Sequence, residues 1–404
     1  MRKNVDAIVS LARGESGVLG DWLVRISSER EAVDRLLESG EKRVYGFNTL
    51  FGPLDGADTV EQSQDQLLDS HLVGALSTIS GADFRLIAAS KLVQIANGGT
   101  GVSPELAGWL EEWLQKEDEG AGRVGAWDSS YGSGDVVPAS WWLHNLRGED
   151  GFPTMRNGDW MSMINGNFYG TAHVMTTMRK VVDSVAYAMT LYRECAPYGG
   201  SEPTEHPVLP QATQLPVSIR DSRPILRGLE AAWDGVFDAL EERAAGSSGN
   251  PIFVFDEVGN ARPVSNSSFL DYRVPVAVEG LTNMVMALAV ALQRLAFYAA
   301  EWKAAKYREE SAIDLVQPPK VAAAELRGDG SVGSMGRLWA NTGLGGVEDL
   351  CDGTVESSLR LRRAANLLSS MADVARENAQ FDAGTMSFCE SMSAQVSALG
   401  GLRG

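Results

Sequence analysis

The stretch VAVEGLTNMVMALAVALQRLAFYAAEWKAAKYREE, residues 276–310, decides the fold class. Its residues are almost all apolar or helix-forming, and they turn polar only towards its end. A helix of that length, apolar around most of its circumference, is typical of the central rod of a helical bundle or an oligomer. The sequence therefore predicts one long central helix. We expect it to pack against copies of itself, because a chain of 404 residues cannot cover it completely.

The rest of the chain also favours helices. Apolar residues recur at helical spacing over residues 60–77, 83–96, 104–116, 158–194, 223–246 and 355–378. Asp58 is expected to cap the first of these helices, and Ser103, followed by Pro104, the third. The clearest strand signal, PIFVF at 251–255, predicts a short hairpin. The sequence thus predicts an all-α protein, an elongated helical bundle.

A polar break punctuated by prolines runs over residues 196–224 and suggests a division of the chain. We expect a mostly helical N-terminal domain over residues 1–195, which carries the chemistry. The long-helix bundle domain is expected over residues 196–404.

Composition excludes several classes of function. The formal charge of −18 repels phosphate backbones and anionic membranes, so we expect neither nucleic acid nor a membrane as partner. No apolar run is expected to approach the ~20 residues of a membrane span, and the N-terminal apolar stretch is too short for a signal peptide. Three scattered cysteines, Cys195, Cys351 and Cys389, suggest a reducing cytoplasm. No histidine or glycine spacing predicts a metal or a nucleotide.

Four motifs in the first half of the chain carry a family resemblance. They are YGFNTLFGPL (45–54), LLDSHLVGAL (67–76) with the following NGGTGVSPEL (97–106), YGSGDVVP (131–138) and MINGN (163–167). Their order and spacing resemble those of the histidine and aromatic amino-acid ammonia-lyases and the related aminomutases. Weaker matches extend the resemblance to roughly residues 40–360, at QLPVSIR (214–220), GNPIFV (249–254) and GGVEDL (345–350). Several connections and the C-terminal end look shorter than in that family.

The resemblance implies a covalent electrophile made from the chain itself. In the family an Ala-Ser-Gly tripeptide loses two waters and closes into a methylidene-imidazolone, which adds the amine of the substrate. The matching residues here are Gly132, Ser133 and Gly134. Ser133 would supply the alkene and Gly134 the nitrogen that closes the ring. Gly132 contributes only a carbonyl and a ring substituent, so glycine is chemically permissible there. Taken alone, Gly-Ser-Gly is more often a flexible loop.

The resemblance also assigns the groups around the electrophile. Tyr45 would be the base that removes the β-proton of the substrate, although a Tyr before Gly is commonly an aromatic anchor of a turn. Arg220 would hold the substrate carboxylate, with Asn165 and Gln214 orienting it and the developing charge. Considered alone, Arg220 would be a surface salt bridge.

His71 and Glu348 would recognise the side chain of the substrate. A Ser-His pair at this point resembles the histidine-type lyases, and Glu348 matches the acidic residue that meets their imidazole. Either residue alone has a plainer interpretation, as a core histidine and a solvated glutamate. Together they favour a polar or basic ring on the substrate.

Two departures from the family affect the expected reaction. Val217 occupies the position of the family's second catalytic tyrosine, and Leu50 replaces a loop glycine. Tyr272 is one candidate for the missing phenol, because it lies near an arginine in a loop.

Three interpretations follow from these residues. The first is a cytoplasmic homotetrameric lyase or aminomutase that carries the imidazolone and acts on an amino acid or a derivative, with sites composed of more than one subunit. The second keeps the fold without the electrophile and serves a different reaction or a binding role. The third, an unrelated helical scaffold, is disfavoured by four ordered motifs.

Overall fold

The computed structural model of the protein describes residues 2–59, 63–116, 122–130, 132–196, 216–307, 312–329 and 350–379. Helices account for most of these residues, which confirms the all-α prediction. The helices are α1 (Lys3–Ala12), α2 (Trp22–Ser39), α3 (Ser63–Ser70), α4 (Gly81–Ala96), α5 (Pro104–Gln115), α6 (Val136–Leu146), α7 (Asp159–Ile164), α8 (Phe168–Cys195), α9 (Val217–Arg220), α10 (Arg223–Ala244), α11 (Arg273–Tyr307), α12 (Ala312–Asp329) and α13 (Thr354–Ala379).

Two small antiparallel ribbons complete the described secondary structure. Strands β1 (Ser77–Ile79) and β2 (Arg123–Gly125) form one ribbon. Strands β3 (Ile252–Phe255) and β4 (Ala261–Val264) form the other, and they confirm the hairpin predicted from PIFVF.

The structure corrects two of the predicted helices. The helix expected over 60–77 ends at Ser70, and strand β1 begins at Ser77. The helix expected over 158–194 is two helices, because Asn165 has an extended backbone and Gly166 a φ of +125°. Asp58 caps no helix among the described residues; it pairs with Thr49 in a β-bridge and with Arg43 in an ion pair.

Ser103 lies at the N-terminus of α5 as predicted, but its hydroxyl does not cap the helix. It donates to the buried Asp159 carboxylate instead, at 2.7 Å. Helices α1, α2, α6 and α12 were not predicted from periodicity.

The predicted long helix is α11, which packs against α8, α10, α12 and α13. Its segment Arg273–Glu301 is long and apolar enough to cross a membrane, so the expectation that no run approaches that length is wrong. Length and composition alone do not separate such a span from the core helix of a soluble protein. Here 56% of the most apolar window is buried within the chain.

One face of α11 remains uncovered in the single chain. Val276, Asn283 and Val290 follow one another at seven-residue spacing and therefore share a face. Both valines expose a large part of their surface, 47% and 44%. Among the described residues, this stripe of α11 therefore exposes two valines of an otherwise largely buried helix.

The buried core is continuous from α1 to α13. Its arrangement brings the N-termini of α6, α8 and α13 to one place, through Asp135, Gly170 and Asp352. The candidate site is built at this meeting point. The division of the chain into residues 1–195 and 196–404 stays a prediction.

Candidate active site

The turn Gly132-Ser133-Gly134 lies immediately before α6 and is buried. Gly132 and Gly134 have φ values of +77° and +72°, and Asp135 follows with a φ of +51°. Glycine is the residue that adopts this conformation without steric cost. The chain therefore makes a tight buried turn, with Ser133 between two glycines that permit close approach of the backbone.

Two hydrogen bonds fix the first residue of the turn. The Gly132 amide donates to the hydroxyl of Ser130 at 2.9 Å. The Gly132 carbonyl oxygen accepts from the backbone N–H of Asp352 at 3.0 Å. Gly132 and Asp352 are thus in contact although they lie far apart in the sequence.

The structure gives a steric reason for glycine at position 132. A Cβ built there would lie 2.9 Å from the Cβ of Cys351 and 3.2 Å from the nitrogen of Gly353. Cys351 is buried and is not in a disulfide. The segment before α13 thus occupies the space that an alanine methyl group would need.

Gly132→Ala is expected to destabilise the fold by about 2–4 kcal/mol, from backbone strain and overpacking together. The measurement is chemical denaturation in a Ser133→Ala background, so that no chemistry of Ser133 intervenes. Gly259→Ala is the matched control, because Gly259 has a φ of +80° and open space around it. Adding Cys351→Gly should recover the part of the lost stability that comes from contact between the new methyl group and the Cys351 side chain. Equal losses for Gly132 and Gly259 would contradict this account.

A buried charged cluster lies beneath the turn. The Arg243 guanidinium contacts the Asp352 carboxylate at 3.2 Å, and both side chains are almost fully buried, 1% and 3% exposed. Asp135 joins the cluster and accepts a 2.5 Å hydrogen bond from Ser130. Burial, and the Asp352 carboxylate nearby, raise the pKa of Asp135 to about 6, although Arg243 and the Ser130 hydroxyl act in the opposite direction. Two carboxylates therefore share one buried arginine.

Asp135→Asn is expected to remove a fall in stability between pH about 4 and about 6. Because the folded pKa of about 6 exceeds the ordinary 3.8, the folded state binds more protons in this window, and stability declines as pH rises. Denaturation across this pH range checks it, with Asp55→Asn on an exposed turn as the control. Parallel curves for wild type and Asp135→Asn would refute the assignment.

The loop that contains Tyr45 approaches α7. The Tyr45 hydroxyl accepts from the Gly52 amide at 2.9 Å, and Tyr45 itself is half-buried. Gly46 lies against Met161, where an added Cβ would be 2.5 Å from the Met161 Cε. Phe51 packs on Trp160, with ring centroids 4.7 Å apart.

His71 follows the C-terminus of α3 and contacts the Tyr45 loop through Phe51. Its ring packs on Phe51 with centroids 5.2 Å apart. Its Nδ1 lies 2.7 Å from the Leu67 carbonyl oxygen, which only accepts, so in the neutral ring Nδ1 carries the proton and Nε2 is the acceptor. The segment after His71 contacts the turn region, because the Ala75 amide donates to Ser129 at 3.2 Å. These contacts bring the segments that contain Tyr45 and His71 to Ser129, close to the turn in the sequence.

Asn165 stands at the break between α7 and α8. Its side-chain Oδ1 is buried and has no hydrogen-bond partner among the described residues. Its backbone carbonyl accepts from the buried Lys91 ammonium at 3.0 Å, and Lys91 also donates to the Ser162 carbonyl. Burial lowers the pKa of Lys91 well below its ordinary value. The Asn165 Oδ1 is therefore available to accept a hydrogen bond from a ligand.

Asn167 connects this break with the charged cluster. Its carbonyl accepts from Arg243 Nε at 3.3 Å, and its side-chain amide donates to the Arg243 carbonyl at 3.3 Å. Asn165 is thereby joined through Asn167 and Arg243 to the residues that hold Gly132. Arg243, Asp352 and Lys91 were missed by the sequence interpretation, since no local pattern distinguishes a buried charge from a surface one.

The loop before α11 forms a further wall. Phe269 lies beside Gly134, 3.8 Å from where a Cβ would be. The Tyr272 hydroxyl donates to the Cys351 carbonyl at 2.9 Å. Partial burial raises the pKa of Tyr272, so its phenol keeps its proton at neutral pH. The structure therefore places Tyr272 one residue from the Asp352 amide that binds Gly132.

Arg220 is not brought to the turn within one chain. It lies exposed at the end of α9, whose Ser218 carbonyl accepts from Tyr192 near the C-terminus of α8 at 2.6 Å. The turn lies at the other end of α8, next to Gly170. At 1.5 Å per residue, the helix separates the two ends by roughly 33 Å. Val217 is 76% exposed, and Gln214 and Glu348 lie outside the described residues.

A second polar cluster lies one helical turn further along α8. The buried His173 Nε2 is 3.0 Å from Asp128, and Arg362 contacts the same carboxylate at 2.7 Å. No group of three or more His, Cys, Asp or Glu residues among the described residues has an arrangement suited to a metal ion.

The N-terminal part of the chain is similar in sequence to known ammonia-lyases. Residues 4–162 match the sequence model described as aromatic amino acid lyase. Histidine ammonia-lyase of Bartonella tribocorum is 34% identical over 119 residues, which are 28% of this chain and 22% of that protein. This chain therefore aligns with about a quarter of the length of such curated relatives.

Solved structures resemble the chain over nearly its whole length. The ergothioneine-degrading enzyme ergothionase of Treponema denticola has a TM-score of 0.73 at 15% identity, covering 98% of this chain and 96% of that one. Tyrosine aminomutase of Streptomyces globisporus has a TM-score of 0.67 at 13% identity, covering 98% and 95%. At such identities the likeness establishes the shared fold.

Proposed function

We propose that this chain is a member of the aromatic amino acid lyase family, whose model its residues 4–162 match, and that it eliminates or migrates the α-amine of an amino acid by means of an electrophile formed from Gly132, Ser133 and Gly134. The observation that carries the proposal is the buried turn itself. Ser133 lies between two glycines of positive φ, and the Gly132 carbonyl is held by a hydrogen bond. A flexible Gly/Ser linker would have neither the burial nor the fixed carbonyl.

The residues of the turn fit a methylidene-imidazolone. Ser133 and Gly134 are the two residues that the ring requires, and the lack of a side chain at Gly132 matches the space taken by Cys351. Once formed, the group supplies an electrophilic alkene that binds the amine and makes it a better leaving group. The chain's own residues must then position the substrate and move protons.

Tyr45 is proposed as the base, and its hydroxyl is already oriented by the Gly52 amide. A hydrogen bond donated to a phenol oxygen stabilises the phenolate, which favours proton abstraction. The unpartnered Oδ1 of Asn165 is suited to accept from the substrate's ammonium group. Tyr272 is proposed to take the place of the family's second tyrosine, because its phenol lies against Cys351, which packs on Gly132.

For the substrate we propose an amino acid with a polar or basic ring, or a derivative of one. The His71 Nε2 is left as an acceptor by the contact of Nδ1 with Leu67, so it recognises a donor on that ring. Glu348 is proposed as the second contact with the ring. Arg220 and Gln214 are proposed to bind the carboxylate.

The position of Arg220 supports a site shared between copies of the chain. We propose a cytoplasmic homotetramer in which the stripe Val276, Asn283 and Val290 packs against other copies. Association then brings Arg220 of one copy to the turn of another, which the roughly 33 Å along α8 prevents within one chain. Neither nucleic acid nor a membrane is proposed as a partner.

The experiment that tests the reaction incubates the purified protein with a panel of aromatic and polar amino acids. Ammonia release identifies elimination, and chromatography of β-amino acids identifies migration. Histidine-like substrates are expected to react better than phenylalanine, and His71→Phe should reverse that order. No reaction with any amino acid, from a protein whose mass shows a closed ring, would contradict the proposal.

A second candidate function keeps the fold without the electrophile. The exposed Val217, which offers no phenol, is the observation that favours it. In that case the protein catalyses a different reaction or acts as a binding protein. An intact mass equal to that of the uncondensed chain, after purification without acid, would favour this second candidate.

A further inference from the structure

We propose that Arg243 and Asp352 are positioning residues for closure of the ring, an inference that rests on the proposed function. Their ion pair holds the Asp352 amide as the hydrogen-bond donor to the Gly132 carbonyl, the group that the Gly134 nitrogen attacks. The pair assists the protein's reaction on its own backbone, before any substrate binds.

The Asp352 amide is held from several sides. Oδ2 of its side chain accepts from Arg243 at 3.2 Å and from the Asp271 amide at 3.2 Å. Oδ1 accepts from the Thr354 amide at 3.0 Å, at the start of α13. Both oxygens of the carboxylate therefore help to fix the backbone whose N–H points at Gly132. Such preorganisation makes a donor effective without reorganisation during the reaction.

Arg243 is held as firmly as its partner. Its Nη1 also contacts Thr354 Oγ1 at 3.0 Å, and its Nε contacts the Asn167 carbonyl at 3.3 Å. A fully buried ion pair is a poor source of stability, because desolvation offsets the attraction between the charges. The free-energy cost of burying the Arg243–Asp352 pair is better explained if the pair positions a reacting group. The group that it positions is the Gly132 carbonyl, through the Asp352 backbone N–H.

Ring closure needs a donor at this oxygen. When the Gly134 nitrogen bonds to the Gly132 carbon, electrons move to the Gly132 oxygen, which becomes negative. That oxygen takes the protons of the Gly134 and Ser133 amides and leaves as water, forming the C=N bond of the ring. Ser133 then loses its α-proton and its hydroxyl as a second water, forming the alkene. The steps need no oxidant, and the Asp352 N–H stabilises the one oxygen that acquires charge.

The first test follows intact mass during expression and purification of Asp352→Asn. The side-chain amide of asparagine still accepts from the Thr354 backbone N–H but carries no charge to pair with Arg243. The backbone N–H of residue 352 is therefore held less firmly against the Gly132 carbonyl. We expect ring closure to slow by about tenfold or more, since losing such a donor outright costs 10²–10³. A large uncondensed fraction should be visible in folded protein, judged by circular dichroism.

Glu279→Gln is the matched control. Glu279 forms a similarly buried ion pair with Arg360 between α11 and α13, and neither residue contacts the turn. This variant should close the ring at the wild-type rate. A lower rate here, equal to that of Asp352→Asn, would show that any loss of a buried pair has this effect and would overturn the inference.

Arg243→Lys is the conservative variant. Lysine still places a positive charge opposite the Asp352 carboxylate but has no second nitrogen to bind Asn167, so we expect a rate of ring closure between those of wild type and Asp352→Asn. A wild-type rate of ring closure in folded Asp352→Asn or Arg243→Lys protein would overturn the inference. If Asp352→Asn does not fold, Arg243→Lys alone decides. An uncondensed wild-type chain contradicts the proposed function itself, whereas a condensed wild type with equally fast variants contradicts only the positioning role.

Discussion

Ser133→Ala is expected to abolish at least the second of the two water losses and to lower turnover of every amino acid by about 10³-fold or more. Alanine has no hydroxyl to lose, so no alkene can form and the substrate amine meets no electrophile. The wild-type chain should be lighter by two waters. Intact-protein mass spectrometry under native purification, followed by an ammonia assay, makes the measurement.

A buried serine in the following helix is the matched control for that variant. Ser140 is fully buried in α6 and donates to the Val136 carbonyl at 2.7 Å. Ser140→Ala should keep both the lower mass and the activity, with only a modest loss of stability. Identical masses for wild type and Ser133→Ala, after correction for the substitution itself, would exclude the electrophile.

Mixed assemblies of Ser133→Ala and Arg220→Ala subunits are expected to recover activity that neither variant has alone. Arg220→Ala removes one partner of a desolvated charge pair and should cost about 2–5 kcal/mol in binding of the substrate carboxylate. If each site takes its turn from one copy and its arginine from another, random association at equal amounts leaves about a quarter of the sites intact. The recovered activity should be close to that fraction.

Light scattering and co-purification of differently tagged subunits are the controls, because recovery is informative only when mixed tetramers form. A monomer mass at micromolar concentration would contradict the assembly. Mixed tetramers without recovered activity would show that Arg220 does not serve the turn of another copy, and the carboxylate contact would have to be sought elsewhere.

Some features of the Gly132-Ser133-Gly134 turn could be predicted from the sequence and others could not. The residues Ser133 and Gly134 were visible in a motif of eight letters, whereas the helix that follows them was not predicted. The space taken by Cys351 and the hydrogen bond from Asp352 were not, because those residues are more than two hundred positions away. The choice of glycine at position 132 looked like a departure from the family, and the structure gives it a steric reason.

The break in the helix expected over 158–194 could not be predicted from the sequence pattern either. Apolar periodicity continues through Asn165-Gly166-Asn167, so a pattern alone predicts one helix. The tertiary structure interrupts it at Asn165, whose carbonyl accepts from the buried Lys91, whereas the Asn167 carbonyl accepts from the Thr171 amide of α8 as well as from Arg243. The buried charge on α4 thus helps to create the opening in which the Asn165 side chain lies.

The sequence by itself determined the helical class, the long rod α11, the hairpin at β3 and β4, and the order of the motifs. These depend on local propensity and on apolar spacing, which are properties of neighbouring residues. Only the tertiary structure decided that Asp352 holds Gly132, that Tyr272 lies beside Cys351, and that Arg220 is a helix length away from the turn of its own chain. Those relations depend on how helices pack over long separations in the sequence, and packing is set by the summed burial of many side chains rather than by any short motif.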